Sequence, residues 1–146
     1  MRMTVTLNPY VNLRGTAREA LEFYHSVLGG TVQIMAFSDF PDMAPPGEEH
    51  LVMHGQLETT DGLTLMVSDV PSTMTSAPPA GFAVSISGDE GERLRGYWDG
   101  LSAGGTVTAP YETPPWDATG GAFGMFTDRF GVDWMISYSV PPTIES

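Results

Sequence analysis

The sequence predicts an α+β fold made of two βαβββ modules, and three observations carry that prediction. A helical pattern closing on Gly-Gly-Thr-Val occurs twice, as AREALEFYHSVLGGTVQ at 17–33 and GERLRGYWDGLSAGGTVT at 91–108. A strand-like run precedes each copy, from Val5 to Val11 and from Phe82 to Ser87. At the far ends, Leu65-Met66-Val67-Ser68 is answered by Trp134-Met135-Ile136-Ser137. A repeat spaced by half the chain predicts two similar modules folded together.

Residues 4–13 read as a first strand, in which Pro9 must occupy an edge, a strand start or a bulge because it has no N–H to give to a ladder. Arg14-Gly15 turns the chain, and Thr16 with Glu19 three residues later predicts a capping box. Ala20, Leu21, Tyr24, Val27 and Leu28 form the apolar stripe of the first helix, and Leu94, Tyr97, Trp98 and Leu101 that of the second. Each helix stops at a glycine pair, Gly29-Gly30 or Gly104-Gly105, where a left-handed residue can close the last turn.

A strand from Thr31 to Ser38 leads to an acidic, proline-rich loop at 39–50 (DFPDMAPPGEEH), long enough to act as a flap. Strands at 51–59 and 63–68 are joined by Asp61-Gly62, a hairpin signal. The aperiodic segment around 70–81 is the linker between module 4–69 and module 82–139 of a single 1–146 domain. The second module runs through strand 82–87, helix 89–102 and strand 106–111, then a Pro-rich aromatic loop at 112–121. Strand 122–127, the turn Asp128-Arg129-Phe130-Gly131 and strand 132–139 follow, and Pro141-Pro142 closes the ordered part.

The 146 residues are 41% hydrophobic, enough for a core. No apolar run approaches the roughly 20 residues of a membrane span, and Met1–Thr4 enters a strand without a signal-like block, so a cytoplasmic, membrane-free protein is expected. Eighteen carboxylates face six arginines and no lysine, and the net charge of −12 opposes a nucleic-acid partner. The same field favours a cationic small molecule, although acidic surfaces also serve solubility. Without cysteine there is neither a disulfide nor a thiolate site.

The two modules, the aromatic pair in each helix, and Asp128-Arg129-Phe130-Gly131-Val132-Asp133-Trp134 before the last strand resemble the vicinal oxygen chelate superfamily of glyoxalases, bleomycin-resistance proteins and extradiol dioxygenases. Asn8-Pro9-Tyr10-Val11-Asn12, Glu19-Ala20-Leu21-Glu22-Phe23-Tyr24, Met53-His54-Gly55-Gln56-Leu57, Leu65-Met66-Val67-Ser68-Asp69 and Phe123-Gly124-Met125-Phe126-Thr127-Asp128 are similar to its PhnB-like, or demethylubiquinone-methyltransferase-like, branch. The resemblance covers about residues 4–139 and implies curled half-barrel sheets whose cup holds the ligand.

Metal-dependent relatives place one His or Glu ligand on the first strand and one on the last strand of each module. The resemblance brings Asn8, Met66, Phe82 and Met135 to those corners, within one residue on the first strand. An amide, two thioethers and a phenyl ring are poor donors for a divalent ion. The implied protein therefore binds a small apolar, aromatic or cationic ligand in its cup, as a homodimer, with a degenerate metal site and no cofactor expected, a divalent metal being left open.

Asn8 and Tyr10 share a strand face, and His54 can change charge near neutrality, so these two, His54, Met66, Phe82, Trp116 and Met135 are the ligand-binding candidates. Trp116, in Pro114-Pro115-Trp116-Asp117, either closes over a ligand, packs at a dimer seam or lies under the neighbouring loop. The alternative is a metal-dependent lyase, isomerase or dioxygenase using His50, His54 and Glu49, with His54 as a weak catalytic candidate. In one continuous strand the two histidines would stand about 13 Å apart, too far for one ion unless the strand breaks at His50. His25 reads as a solvated helix residue. No Gly-rich strand-to-helix turn for a methyl donor is present, and Gly120–Gly124 lacks a following helix to cradle phosphate.

Overall fold

Each half of the chain folds into a four-stranded sheet that carries one helix on one face. In a computed structural model, which describes residues 5–142, the chain divides into two units between Pro78 and Pro79. Thr4, expected in the first strand, and the rest of the Met1–Thr4 segment lie outside the described residues. The first unit comprises β1 (Tyr10–Leu13), α1 (Ala17–Leu28), β2 (Thr31–Ala36), β3 (Val52–Glu58) and β4 (Thr64–Asp69). The second comprises β5 (Val84–Gly88), α2 (Gly91–Ser102), β6 (Thr106–Glu112), β7 (Ala122–Thr127) and β8 (Asp133–Tyr138).

The sheet orders are β1-β4-β3-β2 and β5-β8-β7-β6, so the last strand of each unit lies parallel to the first. This is the expected α+β fold with two βαβββ modules. Among the described residues no helix is long and apolar enough to cross a membrane.

Period-two alternation sorts each strand into a helix-facing and an open face. Val11 and Leu13 of β1, Leu57 of β3 and Leu65 and Val67 of β4 are buried with Ala17, Ala20, Leu21, Tyr24 and Leu28 of α1. Burying one such leucine contributes roughly 1.5–3 kcal/mol. In the second unit Val84, Ile86, Phe126, Trp134 and Ile136 pack with Leu94, Tyr97, Trp98 and Leu101. Trp98 meets Phe126 edge-on at 5.1 Å and stacks on Tyr111 at 5.2 Å.

Gly29, Gly30 and Gly104 take positive φ, of 74°, 93° and 77°. Gly30 and Gly105 leave room for a strand: a Cβ on either would collide with the carbonyl of Glu58 or Thr127, respectively. The expected capping box is not formed. Thr16 makes no side-chain cap, and its place is taken by the buried carboxylate of Asp69, whose Oδ1 accepts the N–H groups of Gly15 (2.7 Å) and Ala17 (3.0 Å) while Oδ2 accepts that of Val52 (3.0 Å).

The first strand is shorter than the expected 4–13. It starts at Tyr10 because Pro9 cannot donate, although its carbonyl accepts the Met66 N–H at 3.1 Å. The strand expected to reach Ser38 stops at Ala36, where Asp39 draws the chain into short 3-10 turns. The expected linker is tied to the first unit over much of its length: Val70 donates to Leu13, Ser72 to Glu48, and Arg14 to Ser76.

Candidate functional site

The open face of the first sheet is polar along one row and apolar beside it. Tyr10 pairs with Met66, Met66 with Gln56 and Gln56 with Gln33, while Met35 pairs with His54. The Tyr10 hydroxyl stands 3.2 Å from His54 Nδ1, with the rings 5.6 Å apart. On the other side, His54 Nε2 is 3.4 Å from Gln56 Oε1, and Gln56 Nε2 donates to Glu58 Oε1 at 2.8 Å.

The last of these bonds orders the others. A carboxylate only accepts, so it turns the Gln56 amide nitrogen toward Glu58 and leaves Oε1 to accept a hydrogen bond from His54 Nε2. Nδ1 faces the Tyr10 hydroxyl, which can donate to it when the ring is neutral. Tyr10 oxygen keeps free acceptor capacity at the exposed end of the row, where the residue is 45% exposed. Deeper on the same face, Ser68 donates to Asn12 Oδ1 at 3.0 Å.

The second sheet presents a more apolar open face. Ser85 pairs with Met135 and Met135 with Met125; Ser87 pairs with Ser137 and Ser137 with Phe123. Close beneath β7 the chain needs glycine, since a Cβ on Gly124 would stand 2.7 Å from the Trp98 ring, and Gly55 plays the same part under Leu21 in β3.

The structure brings Tyr10, His54 and Met66 together and places Met135 on the second open face. Asn8 and Phe82 are not at the expected corners. Asn8 lies two residues before β1, where it bonds to Thr6, and the lateral partner of Met66 is Tyr10. Phe82 is 51% exposed two residues before β5, and the partner of Met135 is Ser85. Both shifts have one cause: each first strand enters the sheet later than the sequence pattern implied. Trp116 does not pack under its loop, being 79% exposed.

The trio of His50, His54 and Glu49 does not converge. Among the described residues no three His, Cys, Asp or Glu side chains are grouped to hold a metal ion. β3 begins only at Val52, so His50 belongs to the preceding loop. It lines a cavity of about 410 Å³ with Arg14, Glu48, Leu51 and Ser72. Glu49 Oε1 accepts the Gly47 N–H, and His25 Nε2 lies 2.9 Å from the carbonyl of Gly30, just past its own helix. Gln56 and Glu58 were missed as site residues, yet the period of two from His54 places both on its face.

A family model described as 3-demethylubiquinone-9 3-methyltransferase matches residues 6–137. The chain belongs to this family. It is 29% identical over 142 residues to protein YjdN of Escherichia coli K12, covering 90% of this chain and 93% of that one. It is also similar to the crystal structure of PA1353 from Pseudomonas aeruginosa, with 32% identity, a TM-score of 0.82 and coverage of 94% and 100%. A glyoxylase/bleomycin resistance protein/dioxygenase domain from Frankia sp. EAN1pec shares the fold at 13% identity, with a TM-score of 0.65 and coverage of 97% and 96%. The demethylubiquinone-methyltransferase-like branch expected from the sequence is thereby shown, and the glyoxalase-like fold with it.

The resemblance puts the donors of metal-dependent relatives on the first and last strands of each module, and the laterally paired residues on those strands here are Tyr10 with Met66 and Ser85 with Met135. A phenol, a hydroxyl and two thioethers do not fit a zinc, nickel or iron site, which asks for imidazole, carboxylate or thiolate donors.

Proposed function

We infer that the protein binds a small organic molecule, apolar or aromatic in its body, on the open faces of its sheets through its own side chains rather than through a bound ion. The observation that supports this most is the ordered row Tyr10–His54–Gln56 flanked by Met35 and Met66. Such a surface combines a few oriented polar groups with adaptable thioethers, the usual chemistry of small-ligand sites. A ligand carbonyl or hydroxyl would engage Tyr10, and the methionines would cover the apolar body. The charge of −12 supports a preference for neutral or cationic compounds.

Methyl transfer, named by the family description, finds no support in a Gly-rich strand-to-helix turn. Metal-dependent lyase or dioxygenase chemistry lacks a grouped donor set among the described residues. The proposal includes a cytoplasmic homodimer, supported by flanking strands β1, β2, β5 and β6 that have one neighbour each within their own unit. Sedimentation equilibrium tests the dimer. Calorimetry with quinone-type and bleomycin-type compounds tests the binding: saturable heat that falls at least about tenfold in affinity in His54→Ala is expected, and no heat with any compound would refute it.

A further inference from the structure

The loop between β6 and β7 turns back against the end of β8 to form a second cavity, of about 300 Å³, at the lower end of the range for ligand sites. Its lining includes Trp116, Phe123, Tyr138 and Asp117, and no basic side chain contributes. Three aromatic rings and one carboxylate within a single small cavity are the combination that recognises an organic cation, because ring faces and carboxylate both present negative potential. We propose that this cavity is a site for a small quaternary or protonated amine. It uses none of the residues of the Tyr10–His54 row.

The local structure prepares Asp117 for this role. Its Oδ1 accepts the Thr119 N–H at 2.9 Å and the Thr119 hydroxyl at 2.5 Å, and Oδ2 accepts the Gly121 N–H at 3.1 Å. These bonds fix the carboxylate and favour its charged form, while a carboxylate with about four acceptor positions keeps capacity for a cation. The same bonds draw the loop into the turn that carries Trp116. That ring is 79% exposed and lines the cavity. Trp98 and Trp134 are buried, so Trp116 is the tryptophan that reports on this cavity.

The test is a titration with choline chloride, followed through the Trp116 indole N–H resonance at constant ionic strength, beside its neutral isostere 3,3-dimethyl-1-butanol. The expected result is a saturable shift with choline and at least about tenfold weaker binding of the alcohol. Calorimetry should show choline binding weakened about three- to thirtyfold in Trp116→Leu, the range of an aromatic–cation contact, and partly kept in Trp116→Phe. His54→Ala should bind choline as the wild type does. A shift no larger than sodium chloride produces, equal binding of the alcohol, or unchanged affinity in Trp116→Leu would overturn the proposal. Those failures leave the calorimetric test of the His54 face intact, because it reads other ligands and another unit.

Discussion

The carboxylate of Asp69, the last residue of β4, accepts the backbone N–H of Ala17, the first residue of α1, at 3.0 Å. One side chain thus caps the helix of the first unit, holds the Gly15 turn and, through Val52, pins the start of the strand that carries His54. Helix N-termini leave N–H groups without partners, and a buried acceptor that serves one of them together with the Gly15 and Val52 N–H groups is costly to remove. Asp69→Ala should lower the unfolding free energy by about 2–4 kcal/mol, and Asp69→Asn by less. Urea denaturation checks this; a loss below about 0.5 kcal/mol would contradict the capping role.

Gly105 stands against the Thr127 carbonyl as Gly30 stands against that of Glu58. In Gly105→Ala the new methyl meets rigid backbone, so the sheet must shift, and a loss of about 1–3 kcal/mol is expected by chemical denaturation. Gly96, on α2, has open space where a methyl would stand, so Gly96→Ala should be neutral or stabilising by up to about 1 kcal/mol.

The Glu58–Gln56–His54–Tyr10 row makes a prediction about a single proton. Nitrogen-15 spectra of His54 should show the neutral ring protonated at Nε2, with Nδ1 as acceptor. Tyr10→Phe should move the Nδ1 resonance while changing stability by no more than about 1.5 kcal/mol, the net worth of one hydrogen bond. A ring protonated at Nδ1 would mean that Gln56 is turned the other way.

Hydrogen bonds from the Thr119 hydroxyl and N–H, with a further one from Gly121, hold the Asp117 carboxyl below its ordinary value of 3.8. A depressed folded-state value means that these bonds stabilise the loop above the unfolded value and are lost as the pH falls through the lower one. The Thr119 and Gly121 amide resonances should therefore titrate with a midpoint below 3.8. Glu48 behaves in the same sense, since the Ser72 hydroxyl and N–H lower it from 4.5, and the Ser72 amide is its reporter. A midpoint at or above the ordinary value for either group would remove the assigned bonds.

Much of this architecture was legible because it is local. The Gly-Gly-Thr-Val joints, the 3.6-residue stripes of both helices and the Asp61-Gly62 turn act within a few residues, and Gly62 adopts φ of 83° as such a turn requires. Asp128 bonds the Phe130 N–H two residues on, as its turn position implied, and also takes Val132 and the Trp134 indole. What the pattern concealed is non-local. Asp69 caps a helix 52 positions earlier, a partnership no spacing rule contains, while Thr16 and Glu19 offered a local alternative that the fold does not use. The late entry of β1 and β5 displaced Asn8 and Phe82 from the corners, since strand starts depend on which neighbour has N–H groups to pair. The Tyr10–His54 contact joins residues 44 apart and became visible only with the strand order.

The central claim is that organic ligands bind the Tyr10–His54 face without an intervening ion. The direct measurement is a heteronuclear NMR titration with a quinone-type ligand in the presence of a strong chelator. Saturable perturbation of the Tyr10, His54 and Gln56 side-chain resonances, unchanged by the chelator, is the expected result. Perturbations that vanish with the chelator and return on adding zinc, nickel, manganese or iron would contradict it.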